Sequence, residues 1–191
     1  ETNGTAEDNL FRSLGLAYRY VADGNDTEEL IRVFSEEKDS DRPIVIHIHT
    51  VKGKGLSFAE NDPEGWHRHA PFHIESGIAK KVSTPDPYAV ATVDFVLETA
   101  KRNPNFVYLS AGIVGGIGLT PAERAELGAQ YVDVGIAEEH AVAMASGLAR
   151  GGARPIFGTY STFFQRVYDQ MAQDVAVNKS PAVFLSVGAS I

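Results

Sequence analysis

The chain contains no cysteine, which excludes disulfides, thiolate metal sites and a cysteine nucleophile. It also lacks any apolar run near the ~18 residues of a membrane span, and its N-terminus is not signal-like. Basic residues are outnumbered, 17 Lys and Arg against 25 Asp and Glu, for a net charge of −8. No basic stripe exists to neutralise phosphates, so nucleic acid is disfavoured as a partner. An anionic ligand would need particular arginines, lysines or backbone amides. No methionine opens "ETNGTAEDNL", and "PAVFLSVGASI" stops directly after a strand-like run. The expectation from these ends is a fragment, incomplete at both, with the cytoplasm as default location.

What is present reads as ordinary globular protein: 191 residues, 43% hydrophobic and 22% charged, enough for one domain or two small ones. Residues 9–20 suit a helix running into a strand. Asp26 or Thr27 caps a following helix carrying Leu30, Ile31, Val33 and Phe34, and "PIVIHIHTV" (43–51) is β-branched and strand-like. Residues 59–87 hold prolines, little periodicity and the cluster His67, His69 and His73. A connection of that length is usually functional or interdomain, so the domain boundary is expected inside it. From Tyr88 helices and short apolar strands alternate: helix 88–102, strand "FVYLSAG", a glycine-rich loop "GIVGGIGLTPAERAELG", strand "YVDVG" and helix "AEEHAVAMASGLARG". Strand "RPIFGTY", helix "TFFQRVYDQMAQDVAVN" and strand "PAVFLSV" complete the run. This alternation predicts an α/β fold with a doubly wound, mostly parallel sheet, whose ligands sit beyond the carboxyl ends of the strands.

Three loops meet that edge. Glu138 follows "YVDVG", where an acid can serve either the helix dipole or catalysis. Glu138 and Glu139 cannot both point inward, because neighbouring helix positions diverge by ~100°. "AGIVGGIGLT" has four glycines but neither phosphate-loop pattern. In "GTYSTFFQRVYDQ", Tyr160 and Phe163 could stack on a flat heterocycle and Arg166 could bind a phosphate. Equally, a phenylalanine there could be core and Arg166 could pair with Asp169 or another acid. The three histidines match no firm metal spacing, and proton transfer or oxyanion binding by one of them fits better than zinc. No metal ligand is assigned.

Taken together, "DVGIAEEHAVAMASGLARGGARPIFGTYSTFFQRVYDQMAQDVAVNKSPAVF" resembles the transketolase superfamily of thiamine diphosphate enzymes, most closely its 1-deoxy-D-xylulose 5-phosphate synthase branch. "DGNDTEEL" resembles that branch's D-G-H-D stretch, and "HTVKGKGLSFAENDPEGWH" its T-K-K-G-x-G-Y…A-E-x-D-P…H run. The resemblance covers nearly the whole chain in order. It departs at Asn25 for histidine, Leu56 for an aromatic, Glu139 for glutamine and in the closing "SVGASI".

The resemblance implies a thiamine diphosphate-binding fold. Residues 1–60 would be the C-terminal part of a pyrophosphate-binding domain, 61–85 a linker and 86–191 a truncated pyrimidine-binding domain. The implied cofactors are thiamine diphosphate and Mg2+, with the G-D-G…N metal motif lying upstream of this chain. Glu138 would hydrogen-bond N1′ of the aminopyrimidine, favouring the imino tautomer whose 4′ nitrogen takes the proton from the thiazolium C2. Phe163 would pack on the pyrimidine, and Leu56 would lie near the cofactor. Tyr160 and Arg166 would line the substrate channel, and His67 would face the reacting carbon as a catalytic and substrate-binding group. The implied reaction condenses pyruvate with glyceraldehyde 3-phosphate with loss of CO2, in a homodimer that needs neither membrane nor nucleic acid. A transketolase, a 2-oxo acid dehydrogenase-like component and a non-catalytic dimerisation or binding domain are the alternatives. The chain alone is expected to carry half a site and little activity.

Overall fold

A computed structural model describes residues 6, 8–81, 84 and 86–188. The closing residues of "SVGASI", 189–191, lie outside the described residues. The chain divides into two compact units, Glu1–Ser83 and Thr84–Ile191.

In the first unit, α1 (Leu10–Ser13) is capped by Asn9, whose side chain accepts from the amides of Phe11 and Arg12. It leads into β1 (Ala17–Val21). α2 (Thr27–Glu37) starts at Asp26, whose carboxylate accepts from the amides of Glu28 and Glu29, as an N-cap does. β2 (Ile44–Ile48) pairs parallel with β1, Ala17 opposite Ile44 through Val21 opposite Ile48. Of the four apolar residues expected along α2, only Val33 is fully buried, while Ile31 and Phe34 are exposed. The described sheet here has two strands, and a single helix turns one narrow stripe toward it. Arg19 of β1 bridges to Glu36 (2.6 Å) and Glu37 (2.8 Å) at the end of α2, and Arg32 adds Glu29 and Glu36. Asn25 Oδ1 accepts from the Val51 amide at 2.7 Å, tying the turn after β1 to the segment after β2.

The second unit is a four-stranded sheet in the order β4-β3-β5-β6, every neighbour parallel. Its strands are β3 (Phe106–Ser110), β4 (Tyr131–Asp133), β5 (Arg154–Tyr160) and β6 (Val183–Val187). α4 (Pro87–Arg102) has proline at its first position and Asp86 as cap. Val93, Val96 and Ala100 of α4 pack with Phe106 and Tyr108 on one face. On the other face, Ala141, Val142 and Ala145 of α6 (Glu138–Arg150) pack with Leu109 and Phe157. Apolar cover on both faces is what a parallel sheet requires. The α/β parallel architecture is therefore as the alternation implied.

Two elements differ from expectation. The segment read as one long glycine-rich loop contains α5 (Pro121–Leu127), started by a capping box in which Thr120 and Glu123 satisfy each other's backbone amides. The last stretch, expected as one α-helix, is a 3-10 helix over Ser161–Val167, a single α-turn α7 (Tyr168–Gln170) and a π-helix over Met171–Ala176. Its start has no side-chain cap, and its geometry follows the packing: Phe164 and Val167, three apart, both enter the α6-face core. Three residues per turn brings such pairs into line.

Candidate active site

The carboxyl ends of β3, β4 and β5 form the edge. Asp133 organises two of them: its Oδ1 accepts from the Gly135 amide at 2.7 Å and from the Gly112 amide at 3.3 Å. The first contact is an Asx turn, for which Asp-x-Gly is the sequence signal. Gly135 and Gly112 both have positive φ, at 73° each, and a Cβ on Gly112 would stand 2.9 Å from Ile136 Cγ1. The Val134 amide also donates to the Ser110 carbonyl at 2.9 Å. The loop that delivers Glu138 is thus fixed from both neighbouring strands.

Glu138 opens α6 and is only 1% exposed. A buried carboxylate is costly unless a cation and hydrogen bonds compensate it. Arg166 supplies both, donating from Nη1 to Glu138 Oε2 at 2.8 Å, while its Nη2 lies 3.4 Å from Glu139 Oε1. The doublet splits as helix geometry demands: Glu138 points in, and Glu139 remains 41% exposed. Between catalytic acid and dipole partner, a solvated dipole partner is not what is seen. Arg166 pairs with neighbouring acids, one of the two alternatives open for it, and those acids are Glu138 and Glu139 rather than Asp169.

Phe163 and Arg166 lie on the 3-10 helix, and Tyr160, the last residue of β5, stands at its N-cap position in extended backbone. At three residues per turn, positions 163 and 166 line up along the helix; at the α-helical 3.6 they would fan apart. Tyr160 and Phe163 meet edge to face with centroids 6.2 Å apart. Phe164, not Phe163, is the core residue, with its ring edge-on to Phe157 and Phe184. Phe163 is half-buried and Tyr160 exposed. Near the strand ends, Thr159 Oγ1 on β5 and Ser110 Oγ on β3 are buried with no hydrogen-bond partner.

In the first unit, Leu56 stands at the N-cap position of α3 (Ser57–Asn61) and is half-buried. His67 follows the turn after α3; its amide donates to the Glu64 carbonyl, and its Nδ1 lies 2.6 Å from Lys52 Nζ. His69 stacks on Trp66 at 4.1 Å with 6° between planes. His73 contributes backbone bonds to Ile78 and Gly77. The sequence marks Lys52 only by its place in the "HTVKGKG" run, whereas Asp133 carries the Asp-x-Gly spacing of an Asx turn.

A parallel sheet whose carboxyl edge presents a buried acid, an arginine and an aromatic face is an α/β ligand-binding edge. Residues 88–191 match the family described as transketolase, pyrimidine binding domain, and the chain belongs to it. Residues 2–50 match the family described as 1-deoxy-D-xylulose-5-phosphate synthase. Relatives carrying that name in Trichormus variabilis and Picosynechococcus sp. are each 41% identical over 177 residues, 92% of this chain and 28% of theirs. A solved transketolase from Campylobacter jejuni is 17% identical, with a TM-score of 0.43 over 97% of this chain and 40% of that one. The chain therefore spans little more than a quarter of the curated relatives it matches.

Proposed function

We propose that this chain is part of a thiamine diphosphate-dependent transferase of the 1-deoxy-D-xylulose-5-phosphate synthase type, condensing pyruvate with glyceraldehyde 3-phosphate with loss of CO2. One observation carries the reading: a buried carboxylate, Glu138, at the carboxyl edge of a parallel sheet, paired with Arg166 of the 3-10 helix that follows β5. Residues 1–60 are assigned to the tail of a pyrophosphate-binding domain, 61–85 to a linker and 86–191 to the pyrimidine-binding domain.

The residues fit the aminopyrimidine end of the cofactor. Glu138 is held in place by Arg166 and would hold a proton at N1′. Phe163, outside the core, would lie against the ring, an apolar partner for a flat heterocycle. Thr159 Oγ1 and Ser110 Oγ supply polar atoms still lacking partners at that edge. Thiamine diphosphate supplies the carbanion-stabilising centre, and the protein supplies placement and electrostatics. Arg166 has five N–H donors; the two acids engage one nitrogen each, leaving donors for an anionic substrate group beside Tyr160. His67 is assigned to proton transfer and to holding the substrate, and Leu56 to an apolar contact with the cofactor.

Mg2+ does not fit the described residues, among which no group of three His, Asp or Glu could hold a metal. Its ligands are assigned to the part of the relatives that this chain does not span, together with the diphosphate. A homodimer in the cytoplasm completes the proposal. The test is calorimetric titration of thiamine diphosphate and Mg2+ into the chain, alone and mixed with a separately made upstream domain bearing a diphosphate motif. Binding only in the mixture supports a divided site. Tight binding by the chain alone, or none in the mixture, contradicts it.

A further inference from the structure

Two histidines two residues apart are held by partners of opposite character. His67 Nδ1 lies 2.6 Å from Lys52 Nζ, and an ammonium group carries donors only. His67 Nδ1 must therefore accept, which places the ring proton on Nε2. His69 Nδ1 lies 2.8 Å from the Ala70 carbonyl oxygen, which can only accept, so His69 carries its proton on Nδ1. Which nitrogen is protonated is set by the bond the other one makes.

Both sides of the Lys52–His67 contact rest on fixed backbone. Lys52 precedes Gly53, whose φ is 78° and where a Cβ would stand 2.5 Å from Ala59 Cβ. The Lys54 amide closes the turn onto the Val51 carbonyl at 3.1 Å. On the other side, Trp66 is stacked between Phe58 (5.9 Å) and His69 (4.1 Å) and meets Phe72 edge-on. The Trp66 and His67 amides donate to Asp62 and Glu64. Lys52 and His67 are themselves exposed, so this local scaffold, not burial, sets their approach.

We infer that Lys52 is a positioning residue that locks His67 in the neutral Nε2–H tautomer, so that His67 presents a hydrogen-bond donor, not an acceptor, to a substrate oxygen. This rests on the role assigned to His67 above and specifies it: the group can hold a carbonyl, carboxylate or hydroxyl oxygen, and it cannot start as a base through Nε2.

The test is long-range 15N–1H NMR on the histidine-labelled chain, with His67→Gln and His69→Gln for assignment. His67 should show the Nε2–H pattern and His69 the Nδ1–H pattern in the same spectrum. Lys52→Met should turn His67 into a mixture of tautomers and leave His69 unchanged, while Lys52→Arg, which keeps the donor, should retain Nε2–H. An Nδ1–H pattern for His67 in the unmodified chain, or no change on Lys52→Met, overturns the inference. In the full-length protein Lys52→Met should lower turnover by about tenfold, the scale of one lost hydrogen bond to the substrate. The tautomer readout does not depend on turnover: full turnover in His67→Gln would end the role of His67 while leaving the tautomer result intact.

Discussion

Arg166 reaches back from the 3-10 helix to the first residue of α6, and its Nη1 stands 2.8 Å from the Oε2 of a glutamate that is only 1% exposed. The pair is asymmetric, because the Arg166 side chain keeps 41% of its exposure and that of Glu138 keeps 2%. Removing the arginine strands a buried charge, whereas neutralising the acid leaves a guanidinium that water can reach. Arg166→Ala should therefore destabilise the second unit by about 1–3 kcal/mol, less than a fully buried pair because one partner is half in water. Glu138→Gln should cost less, and the double variant should be less destabilised than the sum. Denaturant unfolding of the four proteins measures this; strict additivity would mean the pair is not formed.

Asp133 joins the loops after β3 and β4 through one oxygen. Asp133→Ala removes both bonds and leaves two amides to find water, a loss of about 1–2 kcal/mol. Asp133→Asn keeps a carbonyl acceptor and should recover most of it. Equal destabilisation by both substitutions would show that the charge, and not the acceptor, holds the loops.

Gly158 on β5 and Tyr108 on β3 are fitted to each other: a methyl at Gly158 would run into the Tyr108 hydroxyl and stand 3.3 Å from Ile117. Gly158→Ala should destabilise the second unit by about 1–3 kcal/mol as an overpacked core site. Adding Tyr108→Phe removes the colliding oxygen and should restore part of the loss. Thermal unfolding of the single and double variants decides it, and no rescue would place the clash elsewhere.

Tyr108 also sets an alkaline limit. Its burial, with the neighbouring Tyr131 adding to the effect, raises its pKa above the usual phenol value. A free tyrosine titrates near 10, so above about that pH the unfolded chain loses a proton that the folded one keeps. Stability from this group is complete below the unfolded value and declines as pH rises past it. Tyr108→Phe should unfold less steeply between neutral and strongly alkaline pH. Identical slopes would contradict the assignment.

Much of this was legible in the residues, and the failures have physical causes. Alternating apolar strands and helices from Tyr88 onward gave a parallel α/β unit, because strand-face cover imposes that composition. Asp26 was readable as a cap because its side chain satisfies local amides. The start of α5 is spelled by "TPAE", a capping box, but the four glycines before it give the stretch the composition of a loop. The final segment was harder: nothing in "TFFQRVYDQMAQDVAVN" distinguishes a helix of three residues per turn from one of 3.6, because its tightness follows from Phe164 and Val167 both entering the core. That geometry is what brings Phe163 into line with Arg166. The family resemblance singled out these two together with Tyr160, whose ring meets that of Phe163. The partners of Arg166 and of His67 were long-range pairings that no local pattern encodes.

The most direct test of the central claim, that Glu138 acts on the aminopyrimidine, is steady-state turnover of pyruvate with glyceraldehyde 3-phosphate by the full-length protein carrying Glu138→Gln. Glutamine preserves size and an acceptor oxygen but cannot hold or release the proton at N1′. The account predicts that kcat falls by about 10²-fold or more, the usual scale for a lost acid–base group, while the folded state persists. A kcat within a few-fold of the unmodified enzyme would contradict it.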